Sequence, residues 1–238
     1  MKQWFEFYSA SNNNIEKIQQ LVGQIPWGHN LAIITKSKSI DEAVFYCNKT
    51  IENNWSRAVL INQISSDFYN RQGKAITNFN NTLPEPHSGL ATETLKDPYK
   101  LDFLDLQEKV LEKDIEAQLV RHITSFLLEL GAGFSFVGQQ VPVKIDKQDF
   151  YIDLLFYHIK LKCYVVIELK AIEFKAEFAG KMNLYLSAVD DTMKNESDNP
   201  TIGLLLCQSK SEVIAEYALR GMTQPIGIAE YDLSKAIP

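Results

Sequence analysis

The sequence predicts an α/β protein in which a helix, three strands, a helix and a fourth strand build a mixed sheet behind a helical amino-terminal module. Three observations predict it. Apolar residues recur at helical spacing from Leu106 to Leu130, and apolar runs of strand length follow at Phe134–Ile145, Asp149–His158 and Lys162–Lys170. A helical stretch from about Ala176 to Asp191 then separates these runs from another, Ile202–Cys207. Finally, residues 1–100 are dense in Asn and Gln and read as short helices.

Each element has a local reason. In the amino-terminal part, helices are expected over about Asn12–Val22, Ser39–Asn53 and Ser56–Gln72. Ser39 followed by Asp41 and Glu42 suits an N-cap whose acidic first turn complements the helix dipole. Gly73 ends the third helix. From there to about Leu101 the chain carries Pro84, Pro86, Gly89 and Pro98, which suits an irregular connector with at most one short helix near Ala91–Leu95. A domain boundary is placed there, giving a module over 1–100 and an α/β domain over 101–238. In the second, Leu106, Val110, Leu111, Ile115, Leu119, Ile123, Phe126, Leu127 and Leu130 form the stripe of one long amphipathic helix closed by Gly131. Pro142 breaks the first strand.

Composition excludes several classes. The 238 residues are 45% hydrophobic and 23% charged, with 11 Gly and 8 Pro, so a collagenous or disordered chain is ruled out. Cys47, Cys163 and Cys207 stand far apart without a CxxC pair, which suggests neither a zinc module nor a disulfide framework. The start, MKQWFE, has no apolar signal core and no window reaches eighteen consecutive apolar residues, so a cytoplasmic protein without membrane contact is expected. The net charge of -6 removes a uniformly basic coat, and any nucleic-acid contact must be local. Residues 1–100 hold ten Lys and Arg against nine Asp and Glu, whereas 101–238 hold 14 against 21, so the acidity lies in the second part.

That second part carries the chemistry. Asp153 and Glu168 sit inside otherwise apolar strands, where an unpaired carboxylate would cost several kcal/mol. Period-2 geometry puts Glu168 and Lys170 on one strand face. A hairpin centred between Lys160 and Leu161 pairs residues whose numbers sum to 321, which sets Asp153 opposite Glu168. Two carboxylates and an ammonium then meet at one spot. With the Leu169 backbone carbonyl they suit a hard divalent cation, Mg²⁺ or Mn²⁺, with Lys170 beside its bound water, the arrangement that hydrolyses a phosphodiester. A solvated surface pair is the plain reading of a lone Glu-x-Lys, but the run VVIEL inside a helix-covered sheet argues against it.

An Asp followed one hairpin later by Glu-x-Lys resembles the PD-(D/E)XK nuclease superfamily, whose fold is restriction-endonuclease-like. The ordered blocks QIPWGHN, ENNWSRAVL, YNRQGKAITNF, TLKDPY, FLLELGAGFSFVGQQ, DFYIDLLFYH, CYVVIELK, GKMNLYLSAVDD and NPTIGLLL resemble, over nearly the whole chain, the YhcG family of bacterial nucleases. The resemblance implies a Mg²⁺-dependent deoxyribonuclease with Asp153 and Glu168 as metal-binding acids and Lys170 as the superfamily lysine. It also implies a supplementary acid on the preceding helix, for which Glu116 is the best match, although a surface glutamate paired with Lys113 fits equally. Lys181 and Tyr185, one turn apart, are similar to a Gln-x-x-x-Tyr pattern that would hold the scissile phosphate; the alternative is a core tyrosine beside a solvated lysine. Gln140 and Gln139, near the first strand, are expected either to reach substrate or to be solvated strand-edge residues. Met1–Tyr8 matches the end of an upstream family segment, so the chain is expected to be shortened at its amino terminus.

The amino-terminal module carries a separate expectation. Arg57, Arg71 and Lys74 among Asn/Gln-rich helices suit a DNA reader, while an assembly domain that forms homo-oligomers is the plain alternative. A catalytically silent DNA-binding or assembly protein that keeps the nuclease fold stands as the second reading of the whole chain.

Overall fold

The computed structural model describes residues 15–104 and 111–233. Leu106 and Val110 of the expected helical stripe, and the start of the first expected helix, lie outside them. The chain divides into two compact units at Asn70/Arg71.

In the first unit, α1 (Ile15–Gln24), α2 (Trp27–Lys36), α3 (Ile40–Asn53) and α4 (Arg57–Ser65) enclose Ile25, Ile33, Tyr46, Leu60 and Phe68. Ser39 caps α3, its hydroxyl accepting from the Glu42 amide at 3.2 Å while the Glu42 carboxylate accepts from the Lys38 amide at 2.5 Å. Helix α2 has no counterpart in the sequence reading; its outward positions include the apolar Trp27 and Leu31 while Asn30 is buried, so no amphipathic pattern marks it. The helix expected over 56–72 is two. It ends at Ser65, Asp67 takes a positive φ of 56°, and a short α5 (Phe68–Arg71) follows.

The second unit begins 30 residues before the expected boundary near 100. The reason is strand pairing: β1 (Ile76–Thr77) runs antiparallel to the final strand, β7 (Ile226–Asp232), and β2 (Tyr99–Lys100) runs parallel to it. The proline-rich stretch between them also carries α6 (Phe79–Thr82) and α7 (His87–Thr94), so it is part of the fold rather than a connector. The single long helix is interrupted at His122, giving α8 (Glu112–Arg121) and α9 (Ile123–Leu130). Then come β3 (Phe134–Ile145), β4 (Gln148–His158), β5 (Cys163–Glu173), α10 (Ala176–Thr192), β6 (Ile202–Ser209), α11 (Glu212–Leu219) and β7. The last helix–strand pair extends the expected order. Strand β3 runs through Pro142, which pairs with Tyr151; β3 is an edge strand, and its irregularity is a bulge between Phe136 and Gly138.

The sheet order is β1-β7-β6-β5-β4-β3. Strands β3, β4 and β5 are joined antiparallel, and β5, β6 and β7 parallel, the latter through α10 and α11. One face packs Leu154, Phe156, Ile167 and Leu169 under Ile115, Leu119 and Phe126 of α8 and α9. The other packs Leu155, Val166 and Leu205 under Met182, Tyr185 and Leu186 of α10. Gly203 permits that second contact, because a Cβ there would stand 2.6 Å from the Met182 side chain. Among the described residues no helix is long and apolar enough to cross a membrane.

Arg71, expected at a DNA surface, is only 3% exposed. Its guanidinium donates to Glu129 at 2.5 Å and to the Pro98 carbonyl at 2.8 Å, and the buried Lys96 lies 3.8 Å from the same carboxylate and donates to the Glu129 backbone. Burial pulls the Lys96 pKa down to about 8, against the pull of Glu129. Two cations thus share one acid between the 71–100 segment and α9. Replacing Glu129 with Ala is expected to destabilise the protein by about 3 kcal/mol, because it removes the carboxylate that two buried cations share, and urea denaturation measures the loss.

Candidate functional site

The β4–β5 register follows the 321 sum, from His158↔Cys163 to Leu154↔Ile167. The next pair in that series is Asp153 with Glu168, and there the backbone ladder stops. The two residues instead exchange side chain for backbone. The Leu169 amide donates to Asp153 Oδ2 at 3.0 Å, and the Asp153 amide approaches Glu168 Oε1 at 3.4 Å. Each carboxylate thus accepts a backbone N–H from the neighbouring strand where the ladder ends. Side-chain alternation slips at the same place, since Ile152 and Leu155 both join the α10-side core while Leu154 joins the other.

Glu168 is 1% exposed and sits among cations. Lys181 of α10 reaches Glu168 Oε2 at 3.0 Å, and Lys170 stands 3.6 Å from that oxygen. Lys170 itself donates to the Leu169 carbonyl at 2.8 Å and to Glu112 of α8 at 3.2 Å. Helix α8 therefore begins beside β5. One turn further along it, buried Glu116 accepts from Gln140 at 2.8 Å through Oε2, while its Oε1 is buried without a hydrogen-bond partner. Gln140 is exposed, lies on β3 in the row of Asp153, and has a φ of 48°.

Electrostatics follows from this crowding. Burial first, and the neighbouring Glu168 second, push Asp153 up to about 6, although the Leu169 amide pulls the other way. For Lys181, burial works against the charge, yet Glu168 and Tyr185 hold its pKa above the ordinary lysine value. Tyr185 is buried, and burial raises its pKa; its hydroxyl donates to the Tyr151 carbonyl at 3.0 Å, and the Lys181 ammonium lies 4.9 Å from its ring centre. Both alternatives for this pair hold in part: the tyrosine is a core residue, and the lysine faces the acid.

The structure thus joins Asp153, Glu168, Lys170 and Lys181 in one cluster, with Tyr185 behind them and Glu116 with Gln140 across the α8–β3 contact. It does not bring Arg71 there. Lys74 is exposed, and Arg57 is exposed at the start of α4 in the other unit. Sequence reasoning missed Glu112; its i,i+4 relation to Glu116 places both acids on one helix face and was the available signal. Among the described residues no three His, Cys, Asp or Glu side chains converge tightly enough to hold an ion alone. A hard cation would draw on Asp153, Glu168, the Leu169 carbonyl and water, an all-oxygen set that suits Mg²⁺. The unpartnered Glu116 Oε1 adds a further buried acceptor on the α8 side.

Comparison with known proteins gives the following. The model of the YhcG PDDEXK nuclease domain matches residues 92–238, and that of the DUF1016 N-terminal domain matches residues 1–71. The chain is 35% identical over 201 residues to the protein named "Putative nuclease YhcG" of Escherichia coli (strain K12), a match covering 82% of this chain and 53% of that one. The chain thus spans about half the length of this relative. Similar solved structures include a repair endonuclease from Pyrococcus abyssi, with a TM-score of 0.35, 17% identity, and 54% of this chain and 50% of that one covered. Another is a complex of EndoMS with double-stranded DNA, with a TM-score of 0.36, 16% identity, and 56% and 49% covered.

The raised Asp153 pKa has a consequence for stability. An acid whose pKa is higher folded than unfolded stabilises the fold while protonated, and that stabilisation fades as pH rises from 3.8 through about 6. In buffer containing EDTA, Asp153→Asn is therefore expected to raise the melting temperature at pH 7.5, by an amount worth at most about 3 kcal/mol, and to give no gain near pH 4. Calorimetric melting at both pH values measures the difference.

Proposed function

Because the chain belongs to the YhcG family of PD-(D/E)XK nucleases, we propose that it hydrolyses phosphodiester bonds in DNA at the Asp153–Glu168–Lys170 cluster. The observation that carries this reading is the exchange of carboxylates for ladder hydrogen bonds at Asp153 and Glu168, which sets two partly desolvated acids and a lysine at one opening in the sheet.

The residues divide the work. Asp153 and Glu168, with the Leu169 carbonyl, would hold Mg²⁺ or Mn²⁺, and Glu116 lies on the α8 side as a supplementary acid. When bound, the cation lowers the pKa of a water and offsets charge on the phosphate. Lys170 orients the attacking water, its ammonium being fixed by the Leu169 carbonyl and Glu112. Lys181, half-exposed and directed at Glu168, contacts the scissile phosphate. Tyr185 fixes the Lys181 side of α10 through its hydrogen bond to β4. Gln140 keeps Glu116 turned toward the sheet. Arg57 and Lys74 contribute backbone contacts to the nucleic acid, which makes binding salt-sensitive. The site of action is the cytoplasm.

A specific observation favours a second reading, a DNA-binding or assembly protein without turnover. Lys181 lies on Glu168, and Lys170 on the Leu169 carbonyl, the oxygens that a cation needs.

Incubation of the protein with supercoiled and linear DNA and Mg²⁺ separates the two. Nicking or linearisation is expected for the wild type, with Asp153→Ala and Lys170→Ala slower by about 100-fold or more. DNA retarded on a gel yet uncut by wild type and variants alike would give the second reading instead.

A further inference from the structure

Lys170 has three oxygens within reach, and they pull it in different directions. The Leu169 carbonyl lies at 2.8 Å, Glu112 Oε2 at 3.2 Å, and Glu168 Oε2 at 3.6 Å. The third is the oxygen already bonded by Lys181 at 3.0 Å. An ammonium with three donors and a flexible stem would be drawn to the buried Glu168 carboxylate if nothing opposed it.

What opposes it is the first turn of α8. Glu112 opens that helix, where a carboxylate is favoured by the dipole, and the Leu111 amide bonded to Asp114 at 3.2 Å fixes the turn. Four residues later Glu116 is tied to Gln140 on β3. Helix α8 is thus anchored by one acid to the strand on each side of Asp153: Glu112 to β5 and Glu116 to β3. Glu112 is half-exposed, whereas the Lys170 side chain that it holds is almost fully buried.

We propose that Glu112 is a positioning residue that keeps the Lys170–Glu168 ion pair stretched to 3.6 Å, so that Lys170 adds no second hydrogen bond to the oxygen that Lys181 holds and keeps a donor for water. This rests on the nuclease reading above for its catalytic consequence, but not for its geometry. Without Glu112 the ammonium closes on Glu168, and the acid and the lysine neutralise each other.

The test takes two readouts from the full chain. In a crystal structure of Glu112→Gln grown with EDTA, the Lys170 ammonium is expected to close from 3.6 Å to hydrogen-bond distance of the Glu168 carboxylate; an ammonium that stays on the Leu169 carbonyl with that separation unchanged overturns the proposal. In Mg²⁺-dependent cleavage, Glu112→Gln is expected to lower kcat about tenfold to a hundredfold with KM for DNA unchanged, and Glu112→Asp to recover part of the loss. Wild-type kcat in Glu112→Gln, alongside an inactive Lys170→Ala, also overturns it. Absence of cleavage by the wild type would count against the nuclease reading alone, and the crystal structure would still decide where Glu112 holds Lys170.

Discussion

A carboxylate inside a sheet must take its hydrogen bonds from somewhere, and in this chain it takes them from the sheet itself. Asp153 accepts from the Leu169 amide, Glu168 draws in the Asp153 amide, and the β4–β5 ladder ends one pair short of both. Everything else in the site follows from that opening. The ladder ends where the acids stand, α8 is tied to β3 and β5, and lysines from β5 and α10 lie against Oε2 of the buried Glu168. Removing either acid would take a recorded acceptor from a backbone N–H as well as removing charge, so the site and the end of the β4–β5 ladder are one structure.

The arrangement is also strained electrostatically. Two like charges share a small volume, and burial opposes the charge of Asp153. Lys170 and Lys181 offset part of that repulsion, but they do so by covering oxygens. The role assigned to Glu112 follows from this competition: one more acid, at the rim, draws one of the two lysines aside. In the proposed reading the acid pair holds a cation and the lysine must not cancel it, and Glu112 on α8 is the residue proposed to set that balance.

Much of this was legible in sequence because strand geometry is periodic. The pairing sum of 321 follows from two apolar runs and a polar turn, and the register keeps it from His158↔Cys163 to Leu154↔Ile167, one pair short of Asp153 and Glu168. What was not legible depended on contacts far apart in the chain. Arg71 reads as a surface cation until Glu129, 58 residues later, is seen to pair with it. The 71–100 segment reads as a linker because its prolines mask two short strands that pair only with β7. Glu112 escaped notice because a single long helix was drawn through it, whereas the described helix starts there and directs its first acid at Lys170. The final α11–β7 unit lay beyond the last motif that carried chemistry.

The account's central claim is that the opening at Asp153 and Glu168 is a cation site. Calorimetric titration of the full chain with MnCl₂ tests it most directly. The prediction is a single saturable binding event in the wild type that disappears in Glu168→Gln, with both proteins melting cooperatively. A wild type that takes up no Mn²⁺, or a Glu168→Gln variant that binds it with unchanged affinity, would contradict the claim.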